Sequence, residues 1–104
     1  MTHAAYVLSK GAVADLREIT RYTIATWGEE RCRTYVAEIE TTASALARGE
    51  GVYREMDVVL PGLRMAWSGK HCLFCLPRPG QRPIILAILH ERMDILARLK
   101  DRLL

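Results

Sequence analysis

The sequence contains few of the features that are typical of secreted or membrane proteins. Only three of its 104 residues are cysteine, and an odd number of thiols cannot all pair in a disulfide scaffold. The longest uninterrupted apolar run, Ile84 to Leu89, is far shorter than the roughly 18 residues that a membrane span needs. The N-terminal stretch has no cationic start followed by an apolar segment, so it shows no export signal. We therefore expect one cytoplasmic domain over residues 1–104 that does not associate with a membrane.

Low-complexity tracts are also missing, but the two halves of the chain differ in charge. Residues 1–63 carry seven Lys or Arg against nine Asp or Glu, a net charge of −2, whereas residues 64–104 carry eight against three, a net charge of +5. Twelve of the fifteen cations are arginine, whose forked guanidinium suits carboxylate and phosphate groups. The positive net charge of residues 64–104 indicates either a solvated basic surface or a C-terminal half that binds an acidic protein or a nucleic acid.

The pair Cys72 and Cys75 has the spacing of a metal or redox motif. The segment that holds the pair is apolar and aromatic, which is typical of a strand, and strand residues three apart point to opposite faces. Two thiols on opposite faces cannot hold one ion, and no second Cys/His pair at zinc spacing follows. We therefore predict buried structural thiols, no metal site and no cofactor.

Two amphipathic helices are predicted in the first half of the chain. Apolar residues recur at intervals of three and four within Gly11–Trp27 and again within Glu29–Arg48. Ser9 is suited to cap the first helix, and Gly28 and Gly49 are suited to end the two helices. One glycine between two amphipathic helices predicts an antiparallel helical hairpin.

The second half of the chain changes to a period of two, which is typical of strands. The segment Gly49–Pro61 has no period and is predicted to be a loop. The other predicted elements are a short strand at Tyr6–Leu8, strands at Leu63–Trp67, His71–Leu76 and Ile84–Leu89, and a helix at Glu91–Leu104. The prediction is an α+β fold with an N-terminal strand, an antiparallel helical hairpin packed on an antiparallel sheet, and a short C-terminal helix.

The predicted core lies between the helical hairpin and the sheet. Its members are Leu16, Trp27, Tyr35, Ile39, Met65, Trp67 and Phe74. The last strand is apolar on both faces, as is typical of a strand that is covered on both sides. Because the hairpin covers only one face, we expect the C-terminal helix or a second protein to cover the other. An exposed apolar patch on that face would mark a binding site.

Several short motifs occur in an order that resembles one known family. They are Leu8-Ser9, Ala12 and Asp15-Leu16 near the start, Tyr22, Trp27-Gly28 and Tyr35 in the helices, Gly62-Leu63-Arg64, Ser68-Gly69, His71 and Phe74 in the strands, and Ile88 to Asp94 near the end. Over nearly the whole chain this set resembles the ParE toxins of bacterial type II toxin–antitoxin systems, within the wider ParE/RelE superfamily. The chain departs from the usual pattern at Cys75, where tyrosine is more common, and its C-terminal end is unusually apolar.

The resemblance implies a toxin that binds and inhibits DNA gyrase and that a cognate antitoxin neutralises. The antitoxin is expected to be of the ParD type, with a ribbon-helix-helix DNA-binding part and a tail that lays apolar residues and carboxylates against the toxin. A toxin of this kind is a binder rather than an enzyme, and it meets DNA only through gyrase or the antitoxin. The candidates for contact with the target are His90, Arg92, Arg98, Lys100 and Arg102. The candidates for contact with the antitoxin are Arg64, His71, Leu73, Arg78 and Arg82.

Two alternatives remain open at this point. The RelE branch of the superfamily cleaves mRNA on the ribosome, which requires cations to hold the phosphate and groups to move protons. The groups of this kind in the sequence are Arg64, His71, His90 and Arg92. However, Leu96 stands where RelE-type enzymes often place a tyrosine in the final helix. The other alternative is an interaction domain that has lost its toxicity.

Overall fold

The structure is a computed structural model that describes residues 5–103. Three helices and a five-stranded mixed sheet form the predicted α+β fold. In chain order the elements are β1 (Val7–Leu8), α1 (Lys10–Trp27), α2 (Glu29–Arg48), β2 (Arg54–Glu55), β3 (Arg64–Ser68), β4 (His71–Arg78), β5 (Gln81–His90) and α3 (Ile95–Leu103). The strand order is β1-β5-β4-β3-β2, with β1 parallel to β5 and the other neighbours antiparallel. No helix in the described range is long and apolar enough to cross a membrane.

Local signals set the ends of the two long helices. The Ala12 amide donates to the Ser9 hydroxyl at 3.0 Å, so Ser9 caps α1. Gly28 separates α1 from α2 with a φ of 93°, and Gly49 ends α2 in the left-handed conformation with a φ of 70°. Residues with a side chain rarely adopt these angles, which explains the two glycines. The predicted helical hairpin is thereby confirmed.

The sheet has a separate core on each face. The core beneath the helical hairpin includes Ile39, Leu46, Leu73, Cys75, Ile85 and Ile88. The core on the other face, which we call the second face, includes Leu63, Cys72, Phe74, Leu89 and Leu99. The second face is covered by α3 and by the loop residues Met56, Val59 and Leu60. Strand β5 is therefore covered on both sides, and α3, rather than a second protein, covers the face opposite the hairpin.

Four residues of the predicted hairpin core lie elsewhere. Met65, Trp67 and Phe74 do share one face, as the pairing of Met65 with Phe74 and of Trp67 with Cys72 requires, but this is the second face. Trp67 is 49% exposed there, and Trp27 at the end of α1 is 61% exposed. For the three strand residues the prediction was wrong because the period of a strand groups its residues by face without showing which face a helix covers.

The three cysteines are free and buried, as predicted. Cys72 belongs to the core of the second face and Cys75 to the core beneath the hairpin, so the two thiols point to opposite sides of the sheet. Burial raises the pKa of Cys72 to about 12, and burial opposed by the Arg64 guanidinium raises the pKa of Cys75 to about 11. Both thiols are therefore protonated and unreactive at neutral pH. Within residues 5–103, no cluster of three or more His, Cys, Asp or Glu side chains could hold a metal ion.

Two element boundaries differ from the prediction. The segment Gly49–Pro61 contains the edge strand β2, which is too short to show a period of its own. Helix α3 begins at Ile95 rather than at Glu91. The reason is a cap at Asp94, whose carboxylate accepts from the amide of Ala97 at 3.2 Å.

Candidate binding surfaces

Arg102, one of the predicted target contacts, is instead part of the fold. Its guanidinium donates to both carboxylate oxygens of Asp15 in α1, at 2.9 and 2.5 Å, and to the carbonyl of Leu86 in β5 at 3.1 Å. The Asp15 carboxylate also accepts from the amide of Ile88 at 2.9 Å. The Asp15 side chain is only 12% exposed and that of Arg102 27%. This ion pair therefore fastens α3 to the sheet and to α1, and Arg102 is not a free surface cation.

Gly11, in the first turn of α1, should not tolerate alanine. A Cβ atom at this position would lie 2.6 Å from Nη1 of Arg102, which cannot move away without breaking its contacts with Asp15. We expect Gly11→Ala to lower the free energy of unfolding by about 1 kcal/mol, although the same change in a helix usually adds about 0.5–1 kcal/mol. In an Arg102→Ala background the substitution should become stabilising. Urea unfolding of wild type, the two single variants and the double variant tests this. An equal gain in the free energy of unfolding from Gly11→Ala with and without Arg102 would contradict it.

Three other predicted target contacts lie exposed near the C-terminal end. They are Arg92, Arg98 and Lys100. Among the described residues, no ion pair or side-chain hydrogen bond engages these three cations. They are exposed cations that no such contact engages, and the exposed acids Glu91, Asp94 and Asp101 alternate with them along the same segment.

The predicted antitoxin contacts do not form one surface. Leu73 is 0% exposed beneath the helical hairpin, so its side chain belongs to the core and cannot contact a partner. Arg64 donates to two carbonyls in the last turn of α2, where the helix dipole favours a cation. Arg78 donates across the β4–β5 turn to the main-chain carbonyl of Arg82, at 2.8 and 3.1 Å.

The histidines His71 and His90 meet at one end of the sheet. They are paired across β4 and β5, and their rings lie edge to face with the centroids 5.0 Å apart. The Tyr35 hydroxyl lies 2.5 Å from Nδ1 of His71. The Arg92 amide donates to Nδ1 of His90 at 3.0 Å, so neutral His90 carries its proton on Nε2. Both rings are therefore held in place by hydrogen bonds of the fold.

The pKa of His71 makes the stability of this cluster depend on pH. Burial, and then the charge of His90, lower this pKa to about 4, although Asp15 and Glu91 act in the opposite direction. The unfolded chain takes up this proton near the ordinary pKa of 6.5 and the folded chain does not, so the stability is complete above pH 6.5 and falls as the pH drops towards 4. Because His71 is partly exposed, we expect wild type to lose about 1–2 kcal/mol relative to His71→Gln across this window. Urea unfolding at several pH values measures the difference, which should not stay constant.

Arg64 does not join the other groups that a ribonuclease would need. In the sheet, His71 pairs with Ser68 and Arg64 with Cys75. The two side chains are therefore four strand positions apart, which is about 13 Å. Arg64 is held by the end of α2, and His71 is neutral at pH 7. Of the four groups named for catalysis, His71, His90 and Arg92 lie near one another at the end of β4 and β5, and Arg64 lies apart from them.

An apolar groove follows the outer side of α1. It consists of two adjoining depressions of about 400 and 410 Å³. We call it the α1 groove and define it by Val13, Leu16, Thr20 and Ile24, which are spaced at three and four residues. Val13, Leu16 and Thr20 are half-buried and Ile24 is exposed. A partly exposed stripe at this spacing, apolar except for Thr20, is suited to receive the apolar face of an amphipathic helix from another chain.

Comparison with known proteins identifies the family. A family model described as "ParE toxin of type II toxin-antitoxin system, parDE" matches residues 6–95. This chain belongs to the ParE toxin family.

Named relatives and a solved structure agree with this ParE assignment. The chain is 50% identical over 99 residues to "Toxin ParE" of Escherichia coli, a match that covers 95% of this chain and 96% of the relative. It is 34% identical to "Toxin ParE1" of Caulobacter vibrioides, over 90% of this chain and 96% of the relative. A solved chain described as "Chromosomal ParDE TA system from P. aeruginosa" has a TM-score of 0.66 at 21% identity, over 82% of this chain and 92% of that chain. At that identity the solved chain supports the fold alone.

Two features of this ParE toxin were not predicted from its sequence. The first is the role of Asp15, although its spacing from the buried residues Ala12 and Ile19 places it near the core side of α1. A carboxylate at such a position signals a buried partner, because burying an unpaired charge is costly. The second is the exposure of Trp67 and Leu96, for which the sequence carries no signal.

Proposed function

We propose that this ParE-family toxin inhibits DNA gyrase by binding it, and that a cognate ParD-type antitoxin with a ribbon-helix-helix part neutralises the toxin. The observation that carries the proposal is the ParE family match over residues 6–95. The 50% identity to "Toxin ParE" of Escherichia coli supports it. Gyrase and the antitoxin are the partners, and the site of action is the cytoplasm.

Inhibition by binding is favoured over RNA cleavage by the positions of the polar side chains. Catalysis of RNA cleavage needs a cation on the phosphate and a proton carrier within reach of the same group. The Arg64 guanidinium donates to carbonyls at the C-terminal end of α2, and neutral His71 is hydrogen-bonded to the Tyr35 hydroxyl. The exposed cations Arg92, Arg98 and Lys100 instead suit attraction to an acidic surface.

The antitoxin docks along the α1 groove in this proposal. The groove presents apolar side chains at helical spacing. Arg17 and Arg21 line one end of it, and Arg33, which pairs with Glu29, lines the other end together with Glu40. These features suit a helix that carries apolar residues on one face and carboxylates beside them. On the second face, by contrast, α3 already covers β5. The matching family model is described as a toxin of the parDE toxin–antitoxin system, which agrees with an antitoxin partner.

A pair of neighbouring substitutions tests the α1 groove. Ile24 lines the groove and is 42% exposed, whereas Ala25 is exposed and does not line it. We expect Ile24→Asp to weaken the antitoxin complex at least about tenfold, because a charge would be buried against apolar side chains. Ala25→Asp adds the same charge one position away and should leave the affinity unchanged. Titration calorimetry measures both, and equal affinities would contradict the groove as the docking site.

The experiment that tests the function uses purified toxin without antitoxin. We expect it to inhibit supercoiling by gyrase or to trap cleaved DNA, and to leave mRNA on ribosomes intact. His90→Ala should reduce inhibition by no more than a lost contact, since only the loss of a catalytic proton carrier commonly costs about 10²–10⁴-fold in rate. Ribosome-dependent mRNA cleavage that His90→Ala abolishes, with gyrase unaffected, would establish the ribonuclease instead.

A further inference from the structure

Three large apolar side chains lie exposed on the second face of the sheet and on the turn and helix that follow β5. They are Trp67 in β3, Met93 in the turn after β5 and Leu96 in α3, and they are 49%, 42% and 55% exposed. We call them the second-face patch. None of the three lines the α1 groove. The fold and the proposed antitoxin site therefore leave this patch without a role.

The sheet register places Trp67 in the row of residues that leads to α3. Trp67 pairs with Cys72, and Cys72 pairs with Leu89 one residue before the end of β5. Cys72 and Leu89 are buried, so their row forms the floor of the second face at this end of the sheet. The turn that contains Met93 starts at the same end, where the Met93 amide donates to the carbonyl of His90.

The anchor of α3 determines which way Leu96 faces. Leu99 is the buried centre of the helix, and Leu96 and Arg102 lie three residues before and after it, about 60° to either side. Arg102 reaches the carbonyl of Leu86 on the β1 side of β5. The opposite flank, with Leu96, therefore faces β4 and β3, which is the direction of Trp67.

Exposed cations surround the patch. Lys70 is in the turn between β3 and β4, Arg92 precedes Met93, and Lys100 lies one helical turn after Leu96. No ion pair within residues 5–103 engages these three side chains. Of the exposed acids nearby, Glu91 acts on Tyr35 and His71 on the hairpin side of the sheet, Asp94 caps α3, and Asp101 lies about 100° around α3 from Lys100. An apolar centre with a basic rim is complementary to a protein segment that carries apolar and acidic residues. A nucleic acid is less well matched, because stacking of successive bases needs several aromatic faces and the patch offers one.

We propose that the second-face patch, with its rim of Lys70, Arg92 and Lys100, is the surface by which this toxin holds its protein target, through an acidic and apolar segment of that target. The proposal rests on the proposed function where it takes gyrase as the target. Trp67 supplies the largest apolar contact, and tryptophan is among the residues that most often dominate binding energy at interfaces. The cations speed the encounter and orient it, which makes binding weaker at high salt.

The two exposed tryptophans provide a matched test. Trp67 and Trp27 are 49% and 61% exposed, and only Trp67 lies on the second face. We expect Trp67→Ala to raise the toxin concentration for half-inhibition of gyrase at least about tenfold, as loss of a central contact does, with antitoxin affinity unchanged. Trp27→Ala should inhibit like wild type. Leu96→Ser is a second variant at an exposed position, and thermal unfolding confirms that each variant is folded.

The outcomes separate this proposal from the proposed function. If wild type and Trp67→Ala inhibit gyrase equally, the patch proposal is wrong and the proposed function stands. If wild type does not inhibit gyrase, the proposed function is wrong. Growth arrest in cells without antitoxin then tests whether the second-face patch binds a different target. Arrest by Trp27→Ala but not by Trp67→Ala would still support it, whereas arrest by both would overturn it. Direct binding of a DNA oligonucleotide that Trp67→Ala abolishes would overturn it in favour of a nucleic acid.

Discussion

Replacing Phe74 with alanine should lower the free energy of unfolding of this toxin by about 3–5 kcal/mol. Phe74 is 1% exposed and lies in the core of the second face with Leu63, Leu89 and Leu99. Removal of the ring leaves a cavity between the sheet and α3 that the surrounding strands cannot fill. Urea unfolding of the purified toxin measures the loss, and α3 should become more accessible to proteases.

Trp67→Ala is the control for Phe74→Ala, because both residues are aromatic and share the second face. Half of the Trp67 side chain is already in water, so its truncation should cost less than about 1.5 kcal/mol. If both substitutions lowered the free energy of unfolding equally, it would be wrong to place Phe74 in the core and Trp67 at the surface of this face. The comparison also shows whether the binding test at Trp67 is free of a folding defect.

Asp15→Ala should lower the free energy of unfolding by about 2–4 kcal/mol, somewhat below the range for fully buried pairs because Arg102 is partly exposed. The substitution leaves the Arg102 guanidinium without its carboxylate and the Ile88 amide without its acceptor. Both losses act at the junction of α1, β5 and α3. We therefore expect α3 to separate from the sheet before the rest of the chain unfolds, which hydrogen exchange of the α3 amides would detect.

Glu18→Ala is the matched control for Asp15→Ala. Glu18 lies on the same helix and pairs with Arg21, but both side chains are more than two-thirds exposed. Exposed pairs of this kind contribute little, so the change should stay within about 0.5 kcal/mol. A loss of toxicity through Asp15→Ala would report the loss of α3 and not a contact with the target, unless the fold is measured first.

The ion pair also changes how the exposed C-terminal cations should be tested. Neutralising Arg102 together with Arg92, Arg98 and Lys100 would combine a folding defect with a loss of surface charge. Neutralising only the other three cations leaves the anchor of α3 intact. Their assignment as target contacts stays a prediction, and a salt-dependent loss of gyrase inhibition in the triple variant would support it.

The local elements of this fold could be predicted from the sequence because their signals lie within a few residues. Ser9 and the glycines at 28 and 49 mark the helix ends, and strand periodicity placed Cys72 and Cys75 on opposite faces. The two-residue strand β2 and the start of α3 were not predicted, because the only signals there are a short strand pairing and a single helix cap. The order of short motifs along the chain was enough to recognise the ParE family.

The positions of the candidate site residues depended on the tertiary structure. Alternation along β3 groups Met65 with Trp67, but the sheet topology decided that α3 and not the helical hairpin covers their face. Arg102 is spaced like a surface cation of α3, yet its partner Asp15 lies 87 residues away. A sequence determines periodicity and caps through near neighbours, whereas contacts over such separations exist only once the sheet order has brought the two helices together. The sequence by itself therefore determined the elements and the family of this toxin, and the tertiary structure decided which of its cations and aromatic side chains are free to meet a partner.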